Sequence, residues 1–276
     1  MTVPSAGEAA RALRVVPVPR AWSHGGLHLV ERHARVYRHA WLMLLSGFLE
    51  PLFYLLSVGV GLGKLVGTVA NPAGHGAITY TAFVAPALLA SSSMNGAILD
   101  STFNIFFRLK YAKLYDAVLA TPMRARDVAL GEVTWALIRG GLYAVAFMVI
   151  MLALGLVHSP WAVLDVPVAL LIGFAFAATG VAATTFMRSW QHFEFVTLAT
   201  LPMFLFSGSF YPLSVYPAGL RIVVEFTPLY QGVALLRGLT LGAVGPVMFA
   251  HAAYLAAMGL GGLALASRRI SHLLLR

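Results

Sequence analysis

The stretch WAVLDVPVALLIGFAFAATGVAATTFM, residues 161–187, decides the fold. A membrane-spanning helix needs about 20 mostly apolar residues, and this run is longer than that. Lipid offers the backbone no hydrogen-bond partners, so a spanning segment is either a helix or a strand of a closed barrel. Barrel strands are alternating segments of about ten residues, whereas this run is continuous. The stretch therefore predicts a transmembrane helix.

Similar apolar runs lie on both sides of it. The chain of 276 residues is 59% hydrophobic and only 11% charged, and its mean hydropathy is +0.82, which is unlike a soluble domain of this size. We therefore predict an all-α polytopic membrane protein with six transmembrane helices. The predicted spans are Trp41–Gly63, Tyr80–Phe107, Glu132–Val157, Trp161–Met187, Phe193–Tyr211 and Gly245–Ala266.

The segments outside these spans complete the predicted organisation. Prolines interrupt the semi-apolar Pro212–Leu241, which predicts one or two half-helices forming a re-entrant segment before the last span. Residues 27–40 are amphipathic and predict an interfacial helix on the membrane, or a helix packed on a soluble partner. The predicted domains are a flexible leader at 1–26, a transmembrane domain at 27–270 and a tail at 271–276. The chain has no cysteine, which excludes disulfides, thiolate metal sites and thiol nucleophiles.

The basic residues give the chain a direction. With six spans, 15 of the 19 lysines and arginines lie on one side, in the two termini and in segments 108–131 and 188–192. The positive-inside rule then predicts a multi-pass protein of the plasma (inner) membrane with both termini in the cytoplasm. The net charge of +9 is thus a topology signal, and nucleic-acid binding is not expected.

We single out four of the ionisable residues in the predicted membrane-embedded segments, where a charge is costly and usually faces a partner or a water-filled path. They are Glu50, Asp100, Arg139 and Glu225. Glu132 precedes Arg139 by seven residues, so both lie on one helical face. The set is typical of a polar pathway or gate. Structural ion pairing, such as Arg139 with Glu50 or with Asp100, explains it equally well.

Enzymatic chemistry has little support in the sequence. The run Gly59–Lys64 resembles a phosphate-binding loop, but Leu65 follows the lysine where such a loop has Ser or Thr. Its glycines indicate close helix packing or a flexible helix end. No metal-binding cluster and no nucleophile–base grouping is apparent, so we expect no catalytic, metal or cofactor site in this chain.

The segment between the second and third predicted spans is amphipathic, and Thr121-Pro122 ends its predicted helix. A short cytoplasmic helix of this kind is suited to docking in a groove of a soluble partner. A helix resting on the lipid headgroups is the alternative. The residues expected to carry the docking are Leu109, Lys110, Lys113, Tyr115, Asp116 and Leu119.

Several motifs resemble the permeases of ABC-2-type transporters, in the branch of nodulation-factor (lipo-chito-oligosaccharide) exporters and related drug exporters. The resemblance covers roughly residues 30–270. It rests on SGFLEPLFYLLSVGVGLG at 46–63, FVAPALL at 83–89, MNG at 94–96, KYAKLYD at 110–116, ATP at 120–122, LPMFLFS at 201–207, FYPL at 210–213, TPLY at 227–230 and LRG at 236–238.

The resemblance implies a transport subunit rather than an enzyme. The 108–122 segment would be the coupling helix, which receives force from a separate nucleotide-binding ATPase subunit that binds ATP and Mg. The complex would hold two permeases, as a homodimer rather than a heterodimer, with two ATPases among membrane lipid. The substrate would be amphipathic: a lipid-linked saccharide, a drug or a lipid. An ion-coupled secondary transporter is the main alternative, and a membrane-embedded lipid-modifying enzyme is a weaker one.

Overall fold

The structure is a computed structural model that describes residues 25–39, 49, 51–74, 76–112, 114–119, 123 and 125–274. Glu50, Lys113, Thr121-Pro122 and most of the predicted leader lie outside the described residues, as does the start of the first predicted span. The described chain is largely helical. Its helices are α1 Gly25–His39, α2 at residues 51–66, α3 Tyr80–Lys110, α4 Leu114–Leu119, α5 Ala125–Ala153, α6 Asp165–Thr184, α7 Phe193–Phe206, α8 Ala218–Glu225, α9 Pro228–Leu241 and α10 Val247–Leu274.

Four of the described helical segments are long and apolar enough to cross a membrane. The structure therefore supports a multi-pass membrane protein but does not confirm six spans. The first predicted span starts outside the described residues. The fifth was expected to reach Tyr211, but its helix α7 has 14 residues and ends at Phe206, before Gly208, whose φ is +68°. The four segments are Tyr80–Lys110, Asp127–Ala153, Pro160–Thr184 and Val247–His272.

Helix α3 contains a π-helical turn, Asp100–Asn104, between its two α-helical parts. A π turn holds one residue more than the regular α-helical path and often occurs at functional positions. A second π turn, Val58–Leu62, lies in α2, within the glycine-rich run. There, β-carbons added to Gly59 and Gly63 would lie 3.0 and 2.9 Å from the Thr81 side chain. The glycines thus allow α2 to approach α3 closely, and the sequence did not predict either π turn.

A β-hairpin connects α2 to α3 and departs from the all-α prediction. Strand β1, Thr68–Ala70, pairs antiparallel with β2, Ala77–Thr79. Each strand has only three residues, too few for a recognisable alternation, and the turn-forming residues around them predicted only a loop.

The interrupted segment after α7 forms two helices rather than one. Helix α8 ends at Glu225, and α9 begins with Pro228 in its first turn after the extended Thr227. Proline is favoured there because the first helical N–H groups have no intrahelical partner. Whether the pair re-enters the membrane stays a prediction. At the end of the chain, α10 continues to Leu274, so the predicted tail begins as helix.

The core lies around α6, which packs on α3, α5, α9 and α10. The contact with α10 is close because α10 presents glycines to it. A β-carbon at Gly262 would lie 2.7 Å from the backbone nitrogen of Thr179. Close packing through small residues is the usual way in which membrane helices associate, since lipid provides no hydrophobic drive between them.

Candidate functional site

A buried carboxylate, Glu132, lies near the start of α5 with only 5% of its surface exposed. The Arg108 guanidinium at the end of α3 donates to Glu132 Oε2 over 2.5 Å. The Tyr115 hydroxyl on α4 donates to Oε1 over 2.8 Å. Both carboxylate oxygens therefore have a partner from another helix, which is what a buried charge requires.

His33 brings helix α1 to the same carboxylate. It is 3% exposed, and its Nδ1 lies 2.6 Å from the Leu29 carbonyl oxygen, so Nδ1 donates. Its Nε2 faces Glu132 Oε2 at 3.5 Å without making a hydrogen bond. The imidazole ring also packs on Trp135, with the ring centroids 5.6 Å apart. Helices α1, α3, α4 and α5 thus meet around Glu132, and we call Glu132, Arg108, Tyr115 and His33 the Glu132 cluster.

The sequence predicted that Tyr115 would face a partner protein. In the structure, Tyr115 lies inside the Glu132 cluster. Its side chain is 2% exposed. Burial raises the pKa of the Tyr115 phenol well above its ordinary value of 10, and the Glu132 carboxylate raises it further. The phenol therefore keeps its proton at neutral pH and acts as the hydrogen-bond donor. Tyr115 holds α4 against the spans.

The predicted coupling segment is also divided. Helix α3 continues to Lys110, the chain turns at Tyr111, and α4 follows as a separate helix of six residues. Leu109 is partly buried against the core and Lys110 is exposed. Lys113 lies outside the described residues, and of Asp116 and Leu119 the structure describes only their place in α4. Their proposed contact with an ATPase stays a prediction.

Farther along α3 and α5, Asp100 and Arg139 form a direct ion pair. They are 8% and 9% exposed, and Asn104 donates its Nδ2 to Asp100 Oδ1 over 3.0 Å. Of the two pairings left open from the sequence, the structure shows the one with Asp100, while Glu50 lies outside the described residues. Glu225 is elsewhere, on α8, where it accepts from Arg221 over 3.0 Å at a largely exposed position.

Two ion pairs, Arg108–Glu132 and Asp100–Arg139, join α3 to α5 about two helical turns apart. Arg108 follows Asp100 by eight residues on α3, and Arg139 follows Glu132 by seven on α5. Two antiparallel helices can form both ion pairs only if Asp100 and Arg108 lie on one face of α3 and Glu132 and Arg139 lie on one face of α5. Eight residues of regular α-helix would turn Arg108 about 80° away from Asp100. The π turn at Asp100–Asn104 takes up the extra residue and restores the alignment.

A cavity of about 480 Å³ lies beside the Asp100–Arg139 pair, between α2, α3, α5 and α7. Arg139 lines it, so this guanidinium faces the cavity while its charge is balanced by Asp100. Aromatic rings and uncharged polar groups make up much of the remaining wall. The other lining residues are Pro51, Tyr54, Leu88, Ser91, Ser92, Asn95, Gly96, Leu99, Tyr143, Thr197, Thr200, Leu201 and Phe204.

Two polar residues, the buried Asp165 and the partly buried Arg237, were missed from the sequence. Asp165, fully buried at the start of α6, lies 2.7 Å from the Thr240 hydroxyl on α9 through its Oδ2, and its Oδ1 has no partner among the described residues. Arg237, on α9, donates to the Phe83 carbonyl oxygen over 3.2 Å and to that of Gly208 over 2.9 Å. Its guanidinium also lies 3.8 Å from the centroid of the Phe83 ring. The signal in the sequence for Asp165 and Arg237 was that each is an isolated ionisable residue within an apolar stretch.

The chain matches known proteins over most of its length. Residues 27–241 match the ABC-2 type transporter family. The chain is 34% identical to nodulation protein J of Rhizobium leguminosarum bv. trifolii over 202 residues, which is 72% of this chain and 74% of that protein. It is 30% identical to nodulation protein J of Rhizobium leguminosarum bv. viciae over 223 residues, 79% of this chain and 84% of that protein. Four of the described helices are long and apolar enough to cross a membrane, and this chain belongs to the ABC-2 type transporter family of membrane transport subunits.

Proposed function

We propose that this chain is the permease subunit of an ATP-driven exporter in the plasma membrane. A separate ATPase subunit would bind ATP and Mg and press on α4. Two copies of the permease would move an amphipathic substrate out of the cytoplasm. Both termini would face the cytoplasm, on the same side as the ATPase.

The proposal rests on the hydrogen bonds of the Glu132 cluster, which connect α4 to the long helices α3 and α5. Helix α4 is too short to resist an external force by itself. Through Tyr115 it is attached to a carboxylate that also holds α3 and α5. A displacement of α4 would therefore be passed to two long helices at once. Two helical turns farther along the same helices lies the Asp100–Arg139 pair beside the cavity.

This arrangement suggests how ATP could change the accessibility of the cavity. A ligand shifts a conformational equilibrium only as far as its affinity for the two states differs. ATP binding by the partner would favour the permease state in which α4 is displaced. Movement of α3 and α5 would then alter the wall that Arg139 and Tyr143 contribute. Substrate released from that state would leave on the far side of the membrane.

The cavity wall also bears on the substrate class. The Arg139 charge is balanced by Asp100, so an uncharged polar head meets no unpaired charge there. Ser92 and Asn95 can exchange hydrogen bonds with such a head, and Tyr54 and Phe204 offer apolar surface beside it. The hydroxyls of Ser91, Thr197 and Thr200 donate within their own helices and can only accept hydrogen bonds from it. These features favour a lipid-linked saccharide over a charged drug or lipid.

The test of coupling uses the permease together with the ATP-binding subunit that co-purifies with it. Tyr115→Phe keeps the ring but removes the donor to Glu132. We expect the ATPase to remain bound while transport in reconstituted vesicles falls about tenfold, because α4 no longer moves α5 directly. Tyr111→Phe makes the same chemical change four residues earlier at a 65% exposed tyrosine and should leave transport unchanged.

Two results would count against the proposal. Unchanged transport by Tyr115→Phe would remove the coupling role of the Glu132 cluster. Transport by the isolated chain under an ion gradient, without any ATPase, would identify a secondary transporter instead. Stimulation of ATP hydrolysis by a lipid-linked saccharide, compared with a cationic drug and a phospholipid, tests the substrate class.

The proposed orientation can be tested because the chain has no cysteine of its own. Single cysteines introduced at Ser189 and Ser271 should be labelled only from the cytoplasmic side by a membrane-impermeant maleimide. A cysteine at Ala73, in the hairpin loop, should be labelled only from the opposite side. The reverse pattern would overturn the proposed orientation.

A further inference from the structure

A second large depression, of about 550 Å³, runs along the surface between α6, α7 and α10. We call it the α6–α7–α10 groove. Its wall is mainly apolar, with Phe176, Phe195, Met203 and Met258 among the lining residues. It is separate from the cavity beside Arg139, although Thr200 contributes to both.

The threonines in the groove offer little to a polar ligand. The hydroxyl of Thr102 donates to the Ile98 carbonyl oxygen over 2.6 Å, and that of Thr179 donates to the Ala175 carbonyl oxygen over 2.7 Å. Both hydrogens are used within the helix that carries them. The groove therefore suits a hydrocarbon chain, which binds through van der Waals contacts and forms no hydrogen bonds.

The distance along α10 from Met258 to Arg269 matches the thickness of one leaflet of a bilayer. Met258 lines the groove, and Arg269 lies eleven residues farther along α10. At 1.5 Å per residue, these positions are about 16 Å apart along the helix axis. Half of the hydrocarbon core of a bilayer is about 15 Å. A chain lying along the groove from Met258 to Arg269 would thus reach from the middle of the membrane to its surface.

A cation marks the surface end of the groove. The Arg269 guanidinium lies 4.1 Å from the centroid of the Phe186 ring, and Phe186 itself lines the groove. Among the described residues, Arg269 has no carboxylate within ion-pair distance, and its Nε has no hydrogen-bond acceptor. Arg188, exposed and next to the groove residue Met187, adds a second positive charge at this end. The charge at this end is thus available for an anion.

We propose that the α6–α7–α10 groove binds an acyl chain of an anionic phospholipid, with the lipid phosphate at Arg269. On the predicted orientation this is a lipid of the cytoplasmic leaflet, where basic residues at helix ends attract anionic headgroups. The charge at Arg269 selects the headgroup, and the apolar wall holds the chain. This site does not depend on the ATPase or on the exported substrate.

The test measures lipid binding to the full-length chain, purified in detergent and delipidated, by native mass spectrometry. Phosphatidylglycerol is compared with phosphatidylcholine of the same acyl chains. We expect phosphatidylglycerol to bind about fivefold more tightly, the effect of one basic residue near an anionic headgroup. Arg269→Gln should lower this preference, and Arg269→Gln combined with Arg188→Gln should remove it. Lys64→Gln makes the same charge change at an exposed lysine at the end of α2, away from the groove, and should keep it.

A second variant tests the groove itself. Ala183→Trp fills the groove from an exposed position on α6 and should weaken binding of both lipids. If that variant does not purify as folded protein, Ala199→Phe fills the groove from α7 instead. A preference for phosphatidylglycerol that Arg269→Gln leaves unchanged, or that Lys64→Gln lowers as much, overturns the proposal. So does normal lipid binding by the filled groove together with a changed ratio of monomer to dimer, which would assign the groove to a second copy of the chain.

Discussion

The two ion pairs between α3 and α5 have the same chemistry but different surroundings. Glu132 takes hydrogen bonds from Arg108 and Tyr115, and α1 covers it through His33, so four helices share one carboxylate. Among the described residues, Asp100 has a partner on one other helix, Arg139, and one on its own helix, Asn104. Arg139 also faces a cavity.

The difference suggests different duties for the two pairs. A carboxylate held by several elements makes those elements move together, because separating any of them leaves a buried charge with fewer partners. A pair between two helices, with space beside it, can separate without disturbing the others. The Glu132 cluster would then make α4 move together with the membrane-spanning helices. The Asp100–Arg139 pair would separate and change the wall of the cavity beside Arg139.

Removing the shared carboxylate should have the largest effect. Glu132→Ala leaves the Arg108 charge and the Tyr115 hydroxyl buried without their acceptor, which should cost about 5 kcal/mol of stability. The measurement is thermal unfolding of the detergent-solubilised protein. Glu194→Ala, which removes an exposed carboxylate in the first turn of α7, is the control and should change little. Equal losses in the two variants would contradict a special role for Glu132.

Breaking the second pair should cost less and distinguishes a gate from a structural pair. Among the described residues, Arg139→Met leaves Asp100 with Asn104 as its hydrogen-bond partner, at a cost of about 3 kcal/mol. Adding Asp100→Asn removes the buried charge and should restore most of the stability. If the pair is a gate, the stable double variant will still transport poorly. If the pair is only structural, the double variant will transport normally.

The third buried carboxylate, Asp165, should contribute least to the free energy of unfolding. Its removal is therefore a reference for the other two variants. The Thr240 hydroxyl has one hydrogen but lies 2.7 Å from both Asp165 Oδ2 and the Leu236 carbonyl oxygen. Asp165→Ala removes one of these hydrogen bonds and should cost about 1 kcal/mol. Asp165→Asn supplies N–H donors at the same place and should be neutral in thermal unfolding. A loss of several kcal/mol with Asn would show that the charge itself is needed.

The long helices could be predicted because their signal is local. Apolar runs of 20 residues or more predict α3 and α6 within four residues at each end, whereas α5 begins seven residues before its predicted span and α10 continues eight residues beyond its own. The amphipathic pattern of 27–40 likewise predicted α1. The fifth predicted span was drawn too long because its apolar composition continues to Tyr211, whereas the backbone leaves the helix at Ser207. Composition does not register a single glycine turn.

The site could be predicted only where a single residue was informative. Asp100 and Arg139 stood out because charges are rare in apolar runs. Glu132 was noted only for sharing a face with Arg139, since its partners lie 24 and 17 residues earlier in the chain. Tyr115 was assigned to the partner-facing side because an amphipathic pattern shows that a helix has two faces but not which face meets the protein.

The π turn in α3 allows two helices with different spacings between their charged residues to form two matching ion pairs. Deleting one residue from 101–104 would leave a regular helix in which Asp100 and Arg108 are seven residues apart and stay within about 20° of the same face. The π turn thus absorbs one residue in α3 without a matching change in α5. At this turn, α3 can change its length by one residue while both ion pairs with α5 stay aligned.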